Sequence, residues 1–66
     1  ELKKVVFDTI NGMPEDLKNA ITLRELEGLS YEDIAEVMGC PVGTVRSRIF
    51  RAREIIENKI QPLMQR

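Results

Sequence analysis

Apolar residues recur at helical spacing along most of the chain. Leu2, Val5, Val6 and Ile10 fall on one helical face. They predict a first helix from about Leu2 to Asn11, with Gly12 as its stop. A second helix is expected to start near Pro14, whose fixed φ suits a first helical position. Glu15 and Asp16 follow, where acids favour the positive end of the helix dipole. This helix carries Leu17, Ala20 and Ile21 on one side, Leu23 and Leu26 on another, and Gly28 is expected to end it. Two apolar stripes exceed what one small domain needs for packing. Either both are core, or Leu23 and Leu26 belong to a surface that docks a partner protein. Nothing alternates apolar and polar over a useful length, so no strand is expected.

The third helix has the clearest start. Ser30 is a good N-cap, and Asp33 three residues on forms a variant of the capping box. Leu29 and Ile34 have the spacing of a hydrophobic staple. Tyr31, Ile34, Ala35 and Met38 make its inner face, and the small Ala35 permits close approach of the next helix. Gly39 can take positive φ and reverse the chain, and Pro41 prevents the helix from continuing. A fourth helix is expected from Val42 to about Ile60, before Pro62. Its inner stripe is Val45, Ile49, Ala52 and Ile56, spaced by four, three and four. The opposite face holds Gly43, Thr44, Ser47, Phe50, Arg51 and Glu54, with Arg46, Arg48 and Arg53 on its shoulders. The tail from Gln61 to Arg66 has no assignment. A helix, a short turn with Gly and a second helix from about residue 30 to 60 form a helix-turn-helix, whose second helix enters the major groove of DNA. The fold expected is all-α, one four-helix domain over residues 1–66.

Size and composition narrow the function. Sixty-six residues bury a modest core. A hydrophobic share of 42% with 32% charge is that of a folded domain, not a disordered tail. No apolar run approaches the roughly 20 residues of a membrane span, and no signal-peptide pattern is present. The chain begins with Glu1 rather than Met, as expected of a piece of a longer protein. One cysteine makes no internal disulfide, which suits a reducing compartment. Without histidine, no protein-made zinc site and no other metal or cofactor is expected. The net charge of −1 hides an asymmetry: residues 1–41 hold nine acids and four bases (−5), whereas residues 42–66 hold six bases and two acids (+4). A basic stripe on one element is the electrostatic footprint of nucleic-acid binding.

Arg46, Arg48, Arg51 and Arg53 lie within eight residues with no acid among them. A guanidinium donates two parallel hydrogen bonds, to a phosphate or to O6 and N7 of guanine. Such a cluster elsewhere is often a solvated helix face; here it follows a helix-turn-helix turn. Ser47 and Arg51 are one turn apart on the outward face, so both reach base edges together. Phe50 beside them either packs at the edge of the core or meets a thymine methyl. Pro41 and Val42 offer no side-chain cap, so the first N–H groups of the fourth helix face either water or a phosphate. There Gly43 leaves room and Thr44 supplies a hydroxyl. Arg24 and Tyr31 lie near this entry. Arg24 contacts phosphate or pairs with an acid. Tyr31 contacts phosphate or joins the core with its hydroxyl emerging. Cys40 reads as a small buried apolar residue. No nucleophile–base pair, phosphate loop or carboxylate dyad is visible, so no enzyme is expected.

The run from Leu29 to Ala35, with Pro41-Val42-Gly43-Thr44-Val45-Arg46-Ser47-Arg48 and Arg51-Ala52-Arg53, resembles region 4 of bacterial sigma factors, specifically the extracytoplasmic-function group and its envelope-stress members. The segment Ala20 to Gly28 and the ending Asn58 to Leu63 fit the same group, so the resemblance covers nearly the whole chain. It implies a winged-helix-like architecture without the wing. It implies binding of the promoter −35 element through the last helix, docking on the β-flap of RNA polymerase, and masking by a membrane-bound anti-sigma factor. It implies base contacts by Arg46, Ser47, Phe50 and Arg51, and phosphate contacts by Arg24, Tyr31 and Thr44. Arg48 and Arg53 are expected to act more through phosphate. Envelope-stress members prefer a GGAAC-type element, which suits Arg51 or Arg46 on guanine, and its A-rich part can be read through DNA shape. Region 2, which melts the −10 element, has no counterpart here.

Three readings follow. The first is promoter recognition for a stress sigma factor by a monomeric domain, cytoplasmic in a bacterium and held at the inner membrane only through an anti-sigma factor. The second is a protein-interaction module for an anti-sigma factor or the polymerase flap. The third is a response-regulator-type output domain that binds paired half-sites as a dimer.

Overall fold

A computed structural model describes residues 1–64; Gln65 and Arg66 lie outside the described residues. Four helices form: α1 (Leu2–Asn11), α2 (Glu15–Glu25), α3 (Tyr31–Met38) and α4 (Val42–Met64). No strand occurs among the described residues. All three shorter helices pack on α4, which is therefore the axis of the domain. At 1.5 Å per residue its 23 residues run roughly 34 Å, most of the 40 Å long dimension.

Each start and stop has a local cause. Ser30 Oγ accepts the Asp33 N–H at 3.1 Å, the cap expected of it. Gly39 ends α3 in the left-handed region (φ 66°), and the Cys40 N–H bonds back to the Ala35 carbonyl at 3.1 Å. With Pro41 next, the chain has to turn between α3 and α4. Gly12 follows α1, but at φ −89° it needs no glycine-specific backbone.

Three boundaries differ from the sequence expectation. Pro14 stands just outside α2 as its N-cap (φ −55°, ψ 150°), with its carbonyl accepting from Lys18 N–H at 2.9 Å. Regular α2 ends at Glu25, three residues before Gly28. There the Leu26 and Glu27 N–H groups share the Thr22 carbonyl and Leu29 N–H reaches the Leu23 carbonyl, so the last turn loosens before Gly28 (φ 73°) reverses the chain. At the other end, α4 continues past Ile60 through Pro62 to Met64. The fixed proline φ is itself helical, and the Asn58 carbonyl deprived of its N–H partner sits on an exposed residue, open to solvent.

The core is one cluster. Ile10, Met13, Ala20, Ile21, Ile34, Ala35, Val45, Ile49 and Ala52 are buried, with Leu17, Leu23, Leu29, Tyr31 and Met38 partly buried around them. The inner stripe of α4 lies as expected, except that Ile56 is only half-buried. Met13 joins the core from a turn, where no helical period could announce it. Leu2, at the free end of α1, is exposed. Burying an Ile or Val contributes roughly 1.5–3 kcal/mol. Ile21, Ile34, Ile49 and Val45 are the largest side chains fully withdrawn from water. They come from α2, α3 and α4, so they fix the face that α4 turns to solvent.

Candidate nucleic-acid interface

The entry to α4 combines a free backbone with little steric cover. The Pro41 carbonyl takes the N–H groups of Thr44 (3.0 Å) and Val45 (3.2 Å). Among the described residues no acceptor meets the N–H groups of Val42 and Gly43. Gly43 is exposed, Thr44 is half-buried, and a Cβ on Gly43 would touch nothing within 4 Å. Free N–H groups at the positive end of a 23-residue helix favour an anion.

One turn further along, the two faces of α4 separate cleanly. Val45, Ile49 and Ala52 are sealed in the core. Arg46, Ser47, Phe50 and Arg51 are exposed on the opposite side. Phe50 is 69% exposed and stands outside the core cluster, so of the two sequence readings its geometry matches the outward one. Among the described residues no carboxylate lies within ion-pairing distance of Arg46. Arg51 has only a loose neighbour, Glu54, at 4.0 Å, with both side chains largely exposed. Such a surface pair holds a guanidinium weakly.

Arg24, Arg48 and Arg53 each have a neighbour on the protein. Arg53 Nη2 donates to Glu25 Oε2 at 2.7 Å, tying the middle of α4 to the end of α2. Glu25, through that bond and its charge, holds the Arg53 guanidinium above its ordinary pKa. Arg24 Nη1 donates to the Leu29 carbonyl at 2.8 Å, and its guanidinium carbon lies 5.1 Å from the centre of the Tyr31 ring. Arg24 thus stitches the turn that carries α3, and Tyr31 is half-buried against the core. Arg48 lies 3.7 Å from Asp16 and 3.7 Å from Cys40 Sγ. Cys40 is half-buried rather than fully enclosed. Sequence reasoning missed these partners because each depends on how the helices cross.

Leu23 and Leu26 do not form one surface. Leu23 packs at the core edge beside Val37 and Met38, in a shallow groove between α2 and α3. Leu26, 59% exposed, borders a different and more apolar groove of about 440 Å³. Val6, Phe7 and Ile10 of α1, Ile21 of α2 and Ile56 of α4 line the rest of its apolar wall. Sequence periodicity did not single out Phe7, which is 43% exposed. Among the described residues no three His, Cys, Asp or Glu side chains gather as metal ligands, and no helix is long and apolar enough to cross a membrane.

Comparison with known proteins gives this geometry a family. The chain is 84% identical over 64 residues to the ECF RNA polymerase sigma-E factor of Haemophilus influenzae, covering 97% of the chain and 34% of that protein. It is 71% identical over all 66 residues to the proteins of the same name in Escherichia coli K12 and Salmonella typhimurium LT2, and covers 35% of each. The chain therefore spans about a third of the length of the curated relatives it matches. Residues 4–56, which include α3, the turn after it and the part of α4 that carries its four arginines, match the family described as Sigma-70, region 4. The chain belongs to the sigma-70 region 4 family.

Proposed function

We propose that this domain recognises the −35 element of promoters for an extracytoplasmic stress sigma factor, and so directs RNA polymerase to the start of transcription. The single observation that carries the reading is the exposed row Arg46, Ser47, Phe50 and Arg51, back to back with the buried row Val45, Ile49 and Ala52. In this reading α4 lies in the major groove. Arg46 and Arg51 donate to guanine O6 and N7, Ser47 bonds a neighbouring base edge, and Phe50 packs on a thymine methyl. The free N–H groups at Gly43, the Thr44 hydroxyl, Arg24 and Tyr31 grip the phosphates that set register. Arg48 and Arg53 contact phosphate only by exchanging a protein carboxylate for it. No bond is made or broken: the domain acts by placement, as a monomer on one asymmetric site, in the bacterial cytoplasm.

The test is a titration of the chain against a duplex carrying a GGAAC element and against a scrambled duplex at the same salt. Tighter binding to the GGAAC duplex by at least about tenfold is the expected result, in line with a few base-specific contacts of about 1–3 kcal/mol each. Equal affinity for the two duplexes would reject base reading by α4.

A second task rests on a separate observation. The apolar groove beside Leu26 lies between α1, α2 and α4, and its lining is distinct from the exposed row of α4. A helix of the polymerase β-flap or of an anti-sigma factor would fit such a groove with its apolar face. An anti-sigma factor anchored in the inner membrane would then hold the domain there. Docking of the β-flap here accompanies DNA recognition rather than replacing it.

A further inference from the structure

Asp16 is an acid set against an arginine of α4. It stands in the first turn of α2, and its Oδ1 accepts the Leu17 N–H at 2.9 Å. That bond fixes the carboxylate at the helix N-terminus, where the dipole stabilises its charge. Its Oδ2 faces Arg48 Nε at 3.7 Å. The Arg48 side chain is 26% exposed, against 68% for Arg51, and Cys40 Sγ lies on its other side at 3.7 Å. Asp16, Leu17, Ser47, Arg48 and Arg51 border one depression, so the carboxylate sits beside the residues assigned to base reading. The acid thus sets a negative charge at the edge of α4, beside Arg48.

We propose that Asp16 is an internal stand-in for phosphate, which keeps Arg48 out of the DNA contacts and so limits the affinity of the domain. The inference rests on the reading of α4 as a DNA-recognition helix. Arg48 rests its guanidinium between the Asp16 carboxylate and Cys40 Sγ, and moving it to DNA would strand the Asp16 charge next to the phosphates. Only the less encumbered Arg46 and Arg51 then supply guanidinium contacts from this part of α4. Because phosphate contacts dominate sequence-independent binding, withholding one lowers the affinity of the domain for any duplex. Asp16 acts here as a positioning residue, through Arg48, and itself touches no base.

The experiment is a double-mutant cycle on the 66-residue chain, with Asp16→Asn, Arg48→Gln and the double variant. Binding to the GGAAC duplex and to the scrambled duplex is measured from low to moderate salt. Asparagine keeps an oxygen for the Leu17 N–H, and thermal melting verifies that each variant folds. Freed Arg48 adds one phosphate contact, so Asp16→Asn should bind both duplexes about three- to tenfold tighter near 0.1 M salt, with a log–log salt slope steeper by about 0.9. Both gains should vanish when Arg48 is also Gln. A gain that persists without Arg48 would mean that the carboxylate repels DNA directly, and would overturn the proposal. So would an unchanged affinity and slope for Asp16→Asn. Failure of the unsubstituted chain to prefer the GGAAC duplex would instead reject the DNA-recognition reading on which this one depends, and it is seen before any variant is made.

Discussion

Ile49→Ala is expected to remove about 2–5 kcal/mol of folding stability, the usual range for a large aliphatic truncated in a packed core. Ile49 is 1% exposed, between Val45 and Ala52 on the buried stripe of α4. That stripe meets the fully enclosed Ile21 of α2 and Ile34 of α3 in one cluster, so the cavity opens where three helices converge. A domain of this size has a total stability of only about 3–10 kcal/mol. In a domain of 60–100 residues each kcal/mol shifts the melting midpoint by about 4–8 °C. Thermal unfolding followed by the helical circular-dichroism signal should therefore show a midpoint lower by about 8 °C or more. A cost under about 1 kcal/mol would mean that α4 is not held through this stripe, and its outward face would lose its physical basis.

Arg51→Ala should leave folding almost untouched and damage recognition. Its side chain is 68% exposed, and among the described residues its one carboxylate neighbour, Glu54, stands at 4.0 Å. A pair of that kind contributes roughly 0–1 kcal/mol. If the guanidinium is bidentate to a guanine, its loss costs about 1–3 kcal/mol on the GGAAC duplex, or about 5- to 150-fold in affinity. Discrimination should relax at one base pair, while binding to the scrambled duplex changes little. A loss of the same size on both duplexes would move Arg51 from base reading to phosphate holding.

Much of this architecture is legible in the sequence because it is set locally. Ser30 caps α3 through an atom three residues from its donor, and Gly39 reverses the chain because glycine tolerates left-handed backbone. The two faces of α4 follow from the 3.6-residue period alone: Val45, Ile49 and Ala52 turn in, while Ser47 and Arg51 turn out. The candidate base-reading row was therefore visible without coordinates. What the arginines touch was not. Arg53 meets Glu25 across 28 residues, and Arg48 meets Asp16 only because the start of α2 passes beside α4. No periodicity encodes such a crossing. The separation of Leu23 from Leu26 has the same origin, since α3 covers one and leaves the other at the groove beside α1. Pro62 shows the opposite lesson: a strong breaker in the sequence is carried within α4 where its neighbours are exposed.

Two of the ion pairs join the acidic part of the chain to the arginines of α4. Residues 1–41 carry −5, yet two of their acids, Asp16 and Glu25, are aimed at arginines of α4. These contacts orient α4 and temper its charge together. Exposed pairs of this sort contribute little to stability, so their larger consequence is for the number of guanidinium groups left to meet DNA.

The most direct test of the central claim is residue-resolved. The backbone and arginine Nε–H resonances of the chain would be followed by NMR as the GGAAC duplex is added. The largest shifts are expected on Gly43, Thr44, Arg46, Ser47, Phe50 and Arg51, with Phe7, Leu26 and Ile56 at the apolar groove nearly still. Shifts concentrated at that groove, with the outward face of α4 unmoved, would contradict it.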